Sequence, residues 1–128
     1  YIDNKFVYQQ KADGVIVSSP TGTTAYSLSG GGPIVHPDVE SMIILPMFPH
    51  SLSTSPLVVK SSSEIKIQIL QCKNNAKLSF DSHDSLTLCK GDVINIKESQ
   101  KNYFLLHPEG HDFYSSCRNK LGWSSRIV

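Results

Sequence analysis

The sequence predicts a mainly β fold, an antiparallel β-sandwich or two stacked sheets, with one short helix after the first buried strand and a short C-terminal helix. Three observations carry that reading. Short β-branched or aromatic runs separated by Gly, Pro, Asn and Asp recur along most of the 128 residues. From Glu64 onward, apolar and polar residues alternate with the period of two that gives a strand one buried and one wet face. Two segments alone carry helix signals.

The first run is Tyr1-Ile2, followed by Asp3-Asn4-Lys5 and then Phe6-Val7-Tyr8. Asn and Asp tolerate the positive φ of tight hairpin turns, so this reads as a hairpin. Residues 15–17, 42–45 and 57–59 are short apolar runs suited to strands buried on both faces. Ile65, Ile67 and Ile69 then alternate with Lys66 and Gln68. Asn74-Asn75 turns the chain into 77–80, Lys90-Gly91-Asp92 turns it into 93–97, and a strand over 103–107 closes the series. Strands joined in sequence by short turns favour an antiparallel meander. Asp112 can cap a helix in which Phe113, Cys117 and Leu121 share one face, with Arg118 and Lys120 near its end and Gly122 beyond it. Trp123 reads as a packing anchor beside that helix end.

Bulk composition narrows the function classes. Apolar residues make up 39% and charged residues 18%, with no apolar run near the roughly 20 residues that cross a bilayer. A formal net charge of +1 gives no electrostatic case for nucleic acid or an anionic membrane as partner. Cys72, Cys89 and Cys117 are odd in number and widely spaced, which argues against a disulfide framework or a zinc site and for a reducing, cytoplasmic setting. Each reads as a small buried or half-buried apolar residue. The chain opens at Tyr1 with no secretory pattern in 1–10, so its start is read as a cut and residues 1–128 as a single domain.

The segment from Lys11 to Pro33 is the most unusual: a buried strand, a hydroxyl-rich loop holding Pro20 and Gly22, a short helix, and Gly30-Gly31-Gly32. Thr21, Thr23 and Thr24 place hydroxyls where a helix begins and its first amides lack partners, a corner suited to a polar ligand. It reads equally as a capped strand-to-helix corner. A P-loop is excluded because Thr23-Thr24, not Lys-Ser/Thr, follows Gly22. The dinucleotide fingerprint is excluded because the triple glycine ends a helix instead of opening one. No nucleophile elbow surrounds Ser18, Ser19 or Ser27.

The run from Asp13 through Ser18-Ser19-Pro20-Thr21-Gly22-Thr23-Thr24-Ala25-Tyr26-Ser27-Leu28-Ser29-Gly30-Gly31-Gly32-Pro33 to Pro37 resembles the long signature of the NAD kinase family. The stretch from Met47 to Leu57, Asp81-Ser82-His83, and Lys120-Leu121-Gly122-Trp123 are similar to its bacterial members, so the resemblance spans the chain. It implies a C-terminal, NAD-binding β domain of an enzyme that moves the γ-phosphoryl group of ATP, or in some members polyphosphate, to the adenosine ribose 2′-hydroxyl of NAD. It also implies that Thr24, Ala25, Tyr26, Ser27, Leu28 and Ser29 hold the adenosine half of NAD, and that Thr21 is among the substrate-binding residues. Lys11 and Asp13 then belong to the nicotinamide half and a subunit contact, Phe48 stands where many members have a small residue whose backbone touches substrate, and His83 lies beside the nucleotide. A homo-oligomer, dimer or tetramer, follows from the same resemblance, since residues matching Asp13 and Phe48 approach a neighbouring subunit's nucleotide.

The chemistry suits these roles: a hydroxyl, free backbone groups and an aromatic ring can read an adenine edge and face, and a carboxylate can accept from an amide or ribose hydroxyls. The alternatives are Asp13 as a turn residue, Tyr26 as a core aromatic and His83 as a loop histidine. His36, His50, His107 and His111 read as structural. Phosphoryl transfer needs a hydroxyl positioner, a phosphate cradle and a divalent metal of the magnesium type. The family's Gly-Gly-Asp-Gly and Asn-Glu/Asp motifs, which meet those needs, do not occur here, so this chain is expected to hold no metal and to be inactive by itself. Two other readings are a domain of the structurally similar lipid kinases and a non-catalytic nucleotide-binding module.

Overall fold

A computed structural model describes residues 1–51, 55–72, 76–81 and 83–123. Where the sequence predicts one domain, the chain divides into two compact units, Tyr1–Glu98 and Ser99–Val128.

Every sheet of the first unit is antiparallel. Strands β1 (Gly14–Ser18), β2 (Ser41–Met47) and β3 (Leu57–Lys60) form one sheet in the order β1-β2-β3. Ile16 faces Leu45 and Val17 faces Ile44 across the first ladder, and Ile44 faces Leu57 across the second. Strand β4 (Ile65–Gln68) pairs with β7 (Val93–Ile96), and β5 (Ala76–Phe80) pairs with β6 (Asp84–Leu88). The fold class is therefore the predicted one, mainly β with antiparallel sheets, although the connectivity is not a simple meander. Hairpin β5–β6 interrupts β4 and β7, which are partners despite the distance between them in sequence. Period-two alternation gives each strand its faces but says nothing about which neighbour it takes.

The core lies between the three-stranded sheet and the β4–β7 ribbon. Met42, Ile44 and Ile65 are buried together, with Ile2, Val17, Leu57, Val59, Ile67 and Ile96 packed against them. Ile43 and Leu45, also buried, point to the other face of the same strand. Of the three runs read as buried on both faces, only β2 is so, because it alone has a neighbour on each side; Val15 of β1 and Val58 of β3 are largely exposed. Pro46, a residue with no ladder donor, sits in β2 beyond Ile44, where pairing with β3 has ended and one edge is open.

Local turn chemistry agrees with the sequence reading. Asp3 and Asn4 both take positive φ (49° and 61°) between the bridged residues Ile2 and Lys5, the backbone of a type I′ turn. Asp3 also accepts from Ser63 Oγ and the Glu64 amide, tying this hairpin to the start of β4. The turn at Asn74-Asn75 lies outside the described residues. Strand β6 was not foreseen, since Asp84-Ser85-Leu86-Thr87-Leu88 is exposed over most of its length and carries a weak apolar signal.

In the second unit, helix α2 (Phe113–Leu121) is bounded as predicted. The Asp112 carboxylate accepts from the amides of Tyr114 (3.1 Å) and Ser115 (2.9 Å), and Gly122 closes the helix in the left-handed conformation. Asp112→Ala is expected to destabilise this helix by about 1 kcal/mol, read as lost helical circular dichroism at lower urea in the full-length protein. A variant with an unchanged profile would show that neither the cap nor the Arg118–Asp112 ion pair, both lost in it, holds the helix.

Two expectations fail in this unit. No strand forms over 103–107: Tyr103, Phe104 and Leu106 are exposed, Leu106 at 96%, and an apolar run becomes a strand only where a ladder partner is presented to it. Trp123 is more than half exposed and is not packed down as an anchor. Among the cysteines, Cys117 is buried, Cys72 is half-buried and Cys89 is exposed, so Cys89 departs from the expected burial. No described helix is long and apolar enough to cross a membrane.

Candidate functional site

The unusual segment folds as a strand, two short helical turns and a glycine return. β1 ends at Ser18, a 3₁₀ turn runs over Thr21–Thr24, and α1 (Tyr26–Ser29) follows after a break at Ala25, whose φ of −102° and ψ of −129° lie outside the helical region. The Gly22 amide donates to Ser19 Oγ (3.3 Å), and a Cβ on Gly22 would lie 2.7 Å from Ser18 Oγ. Ser18 and Ser19 thus build the loop wall and are not candidate nucleophiles.

The three threonines have separate roles. Thr23 is fully buried; its hydroxyl donates to the Pro20 carbonyl (2.6 Å) and accepts from the Val35 amide (3.1 Å). Thr24 Oγ1 donates to the Thr21 carbonyl (3.3 Å), which leaves its lone pairs available, and Thr21 is exposed. The expected threonine caps are absent: Ser19 Oγ takes the Gly22 amide of the 3₁₀ turn, and α1 has no side-chain cap. The amides that open α1 therefore have no side-chain acceptor, as a ligand-facing corner requires.

Along α1, Tyr26 is 61% exposed, which removes its alternative as a core aromatic. Ala25 and Ser29 are exposed and Leu28 is half-buried. Ser27 is fully buried, and its hydroxyl has no hydrogen-bond partner among the described residues. Its side chain packs inside the corner, against Gly32. The triple glycine closes over it. The Gly32 amide donates to the Ser27 carbonyl (2.9 Å), and a Cβ on Gly32 would lie 2.5 Å from Ser27 Oγ.

Lys11, Asp13 and Phe48 meet at the opposite end of β1. The Asp13 amide donates to the Met47 carbonyl and the His50 amide donates to the Lys11 carbonyl, both at 3.0 Å. Between those two bonds Phe48 takes φ +45° and exposes 73% of its surface. A bulky residue in the left-handed region costs energy, and here the flanking backbone bonds hold it. Sequence reasoning located Phe48 but gave no sign of this strain. Tyr8, nearby in sequence, has its phenol pKa raised by burial, so the hydroxyl stays protonated.

His83 lies on the turn between β5 and β6, where its amide donates to the Phe80 carbonyl (2.9 Å) and Asp81 takes φ +46°. Backbone placement agrees with the loop-histidine alternative. Among the described residues, no group of three or more His, Cys, Asp or Glu is placed to hold a metal ion.

The profile of the ATP-NAD kinase C-terminal domain matches residues 1–107. The chain belongs to that family. NAD kinase from Alcanivorax borkumensis is 53% identical over 125 residues, covering 98% of this chain and 42% of the relative. NAD kinase from Teredinibacter turnerae is 48% identical over 126 residues, covering 98% of this chain and 43% of the relative. The crystal structure of yeast NADH kinase with NADH superposes with a TM-score of 0.76 at 33% identity, over 100% of this chain and 40% of that one. An NAD kinase from Archaeoglobus fulgidus with ATP gives 0.69 at 29% identity, over 78% and 38%. This NAD kinase C-terminal domain thus spans less than half the length of the curated relatives it matches.

Proposed function

We propose that residues 1–128 form the NAD-recognising domain of an enzyme that transfers the γ-phosphoryl group of ATP to the 2′-hydroxyl of the NAD adenosine ribose, yielding NADP. The observation that carries this reading is the signature itself, folded so that Ala25, Tyr26 and Ser29 are exposed along α1 and Thr24 is half-buried before it, while Thr23 and Ser27 are fully buried. In this reading the Thr24 hydroxyl reads the adenine edge, and the Tyr26 ring covers its face. Thr21 and Leu28 flank the same corner, and His83 contributes from the β5–β6 turn.

Lys11 and Asp13 take the nicotinamide half. They lie at the other end of a five-residue strand, about 15–20 Å from the adenine corner at the rise of a β-strand. That separation, with Phe48 exposed beside them, supports a homo-oligomer in which they serve a neighbouring subunit's nucleotide. The phosphate cradle, the hydroxyl positioner and the divalent metal would come from a part of the enzyme that lies outside these residues, so no chemical step is assigned to the chain itself. By itself the chain is then expected to bind NAD weakly and to form no NADP. The free cysteines support a reducing, cytoplasmic location.

Calorimetric titration of NAD into the full-length enzyme and its Thr24→Val variant tests the assignment. Loss of the hydroxyl should weaken NAD binding by roughly 1–2 kcal/mol while ATP affinity is kept, because an isosteric methyl leaves a ligand group unpaired. Unchanged NAD affinity would mean that Thr24 only supports the turn through Thr21.

A further inference from the structure

We propose that Thr23, a residue that does not reach the surface, is a positioning residue for nucleotide recognition: its hydroxyl clasps the two ends of the signature loop and so sets the orientation of α1. The inference rests on the NAD-binding reading of that corner. Thr23 is fully buried, yet its hydroxyl is placed between two backbone groups far apart in sequence, donating to Pro20 O at 2.6 Å and accepting from Val35 N at 3.1 Å. The closed segment from Pro20 to Val35 contains every outward-facing residue of the corner, from Thr21 through Ser29.

Other bonds within that segment are local, whether between backbone groups, as in Ala25 N to Gly22 O, Leu28 N to Ala25 O, Gly31 N to Leu28 O and Gly32 N to Ser27 O, or from a side chain, as in Thr24 Oγ1 to Thr21 O. They make each turn rigid but do not fix the entry of the loop against its exit. The Thr23 hydroxyl does. One proton and one lone pair are both in use, so a hydroxyl is required and neither an apolar isostere nor a pure donor can replace it. Pro20 O would remain satisfied by the Thr23 amide at 3.1 Å, but the half-buried Val35 amide would be left without an acceptor. Ser19 Oγ, which accepts from the Gly22 amide, fixes only the entry of the 3₁₀ turn, and α1 has no side-chain cap, so α1 depends on this clasp for its direction.

The experiment compares Thr23→Val and Thr23→Ser with the parent full-length enzyme by amide hydrogen exchange, by NAD calorimetry and by the KM for each substrate. Thr23→Val should speed exchange at Val35 and across 20–35 about tenfold, weaken NAD by a similar factor and raise the NAD KM with the ATP KM unchanged. Thr23→Ser, which keeps both bonds, should restore all three to within about twofold. Parent-like exchange at Val35 together with parent-like NAD affinity in Thr23→Val would overturn the proposal. So would an equal rise of both KM values, or faster exchange spread through β2 and β3, since either marks general destabilisation. A parent enzyme that takes up no NAD would sink the NAD reading instead, and the exchange pattern alone would then decide whether the clasp exists.

Discussion

Gly32→Ala is expected to collapse the nucleotide corner. The added Cβ would lie 2.5 Å from Ser27 Oγ, 2.9 Å from the Ser27 carbonyl oxygen and 3.3 Å from a Leu45 methyl group. The hydroxyl could rotate away and the leucine could give slightly, but the carbonyl is backbone and already accepts the Gly32 amide at 2.9 Å. Relief therefore requires the glycine return to lift off α1, which breaks that bond and moves Tyr26 with it. The expected cost is on the order of 2–3 kcal/mol, within the range for overpacking a dense interior. It should be read as a lower urea midpoint in the full-length enzyme, with a loss of NAD affinity larger than that of Thr24→Val. Ser27→Ala supplies the control: its hydroxyl has no partner among the described residues, so removing it alone should be close to neutral, and combined with Gly32→Ala it should recover only part of the loss. Full stability in Gly32→Ala would show that the return is loose and that α1 is held elsewhere.

Ile43→Ala should be the most damaging substitution in the sheet, costing about 3–4 kcal/mol with little change in the denaturant slope. Ile43 is fully buried in β2, opposite Ser18 on one side and Val58 on the other, and β2 is the one described strand buried along nearly its whole length. Its neighbours Met42 and Ile44 face the cluster shared with Ile65, so the strand serves two packed faces at once. Three deleted methyl and methylene groups cannot be replaced by collapse when the backbone is fixed on both edges by ladders. Ile43→Val should cost about 1 kcal/mol by the same reasoning. A loss in Ile43→Ala no larger than that of Val58→Ala, on the exposed edge strand, would mean that β2 is not the centre of the core.

Both predictions start from residues whose type was legible in sequence and whose surroundings were not. The run Met42-Ile43-Ile44-Leu45 announces a buried strand, but burial on two faces belongs equally to the readings of 15–17 and 57–59, and strand order alone separates them. Ser27 and Tyr26 are adjacent in the same signature, yet one is fully buried and the other 61% exposed. A sequence of polar and small residues over a four-residue turn has too little periodicity to assign faces, so the two were read alike. Phe48 is legible as an apolar residue in a proline-bounded loop, whereas its positive φ is set between the bonds that its neighbours Met47 and His50 make to Asp13 and Lys11, just ahead of β1.

What the sequence determined by itself is the local chemistry: the Asp3-Asn4 turn, the Asp112 and Gly122 ends of α2, the alternation that gives β4 and β7 one buried face, and a signature specific enough to place the chain in its family. These features depend on residues within a few positions of one another, where dihedral preferences and nearby donors decide the outcome. Only the tertiary structure decided that β4 takes β7 as its partner, that 103–107 forms no strand, and that Thr23 links Pro20 to Val35 while Thr24 beside it stays available. Each of these depends on which distant backbone groups reach a given position, and an amide or hydroxyl carries no record in its own sequence of the partner that will satisfy it.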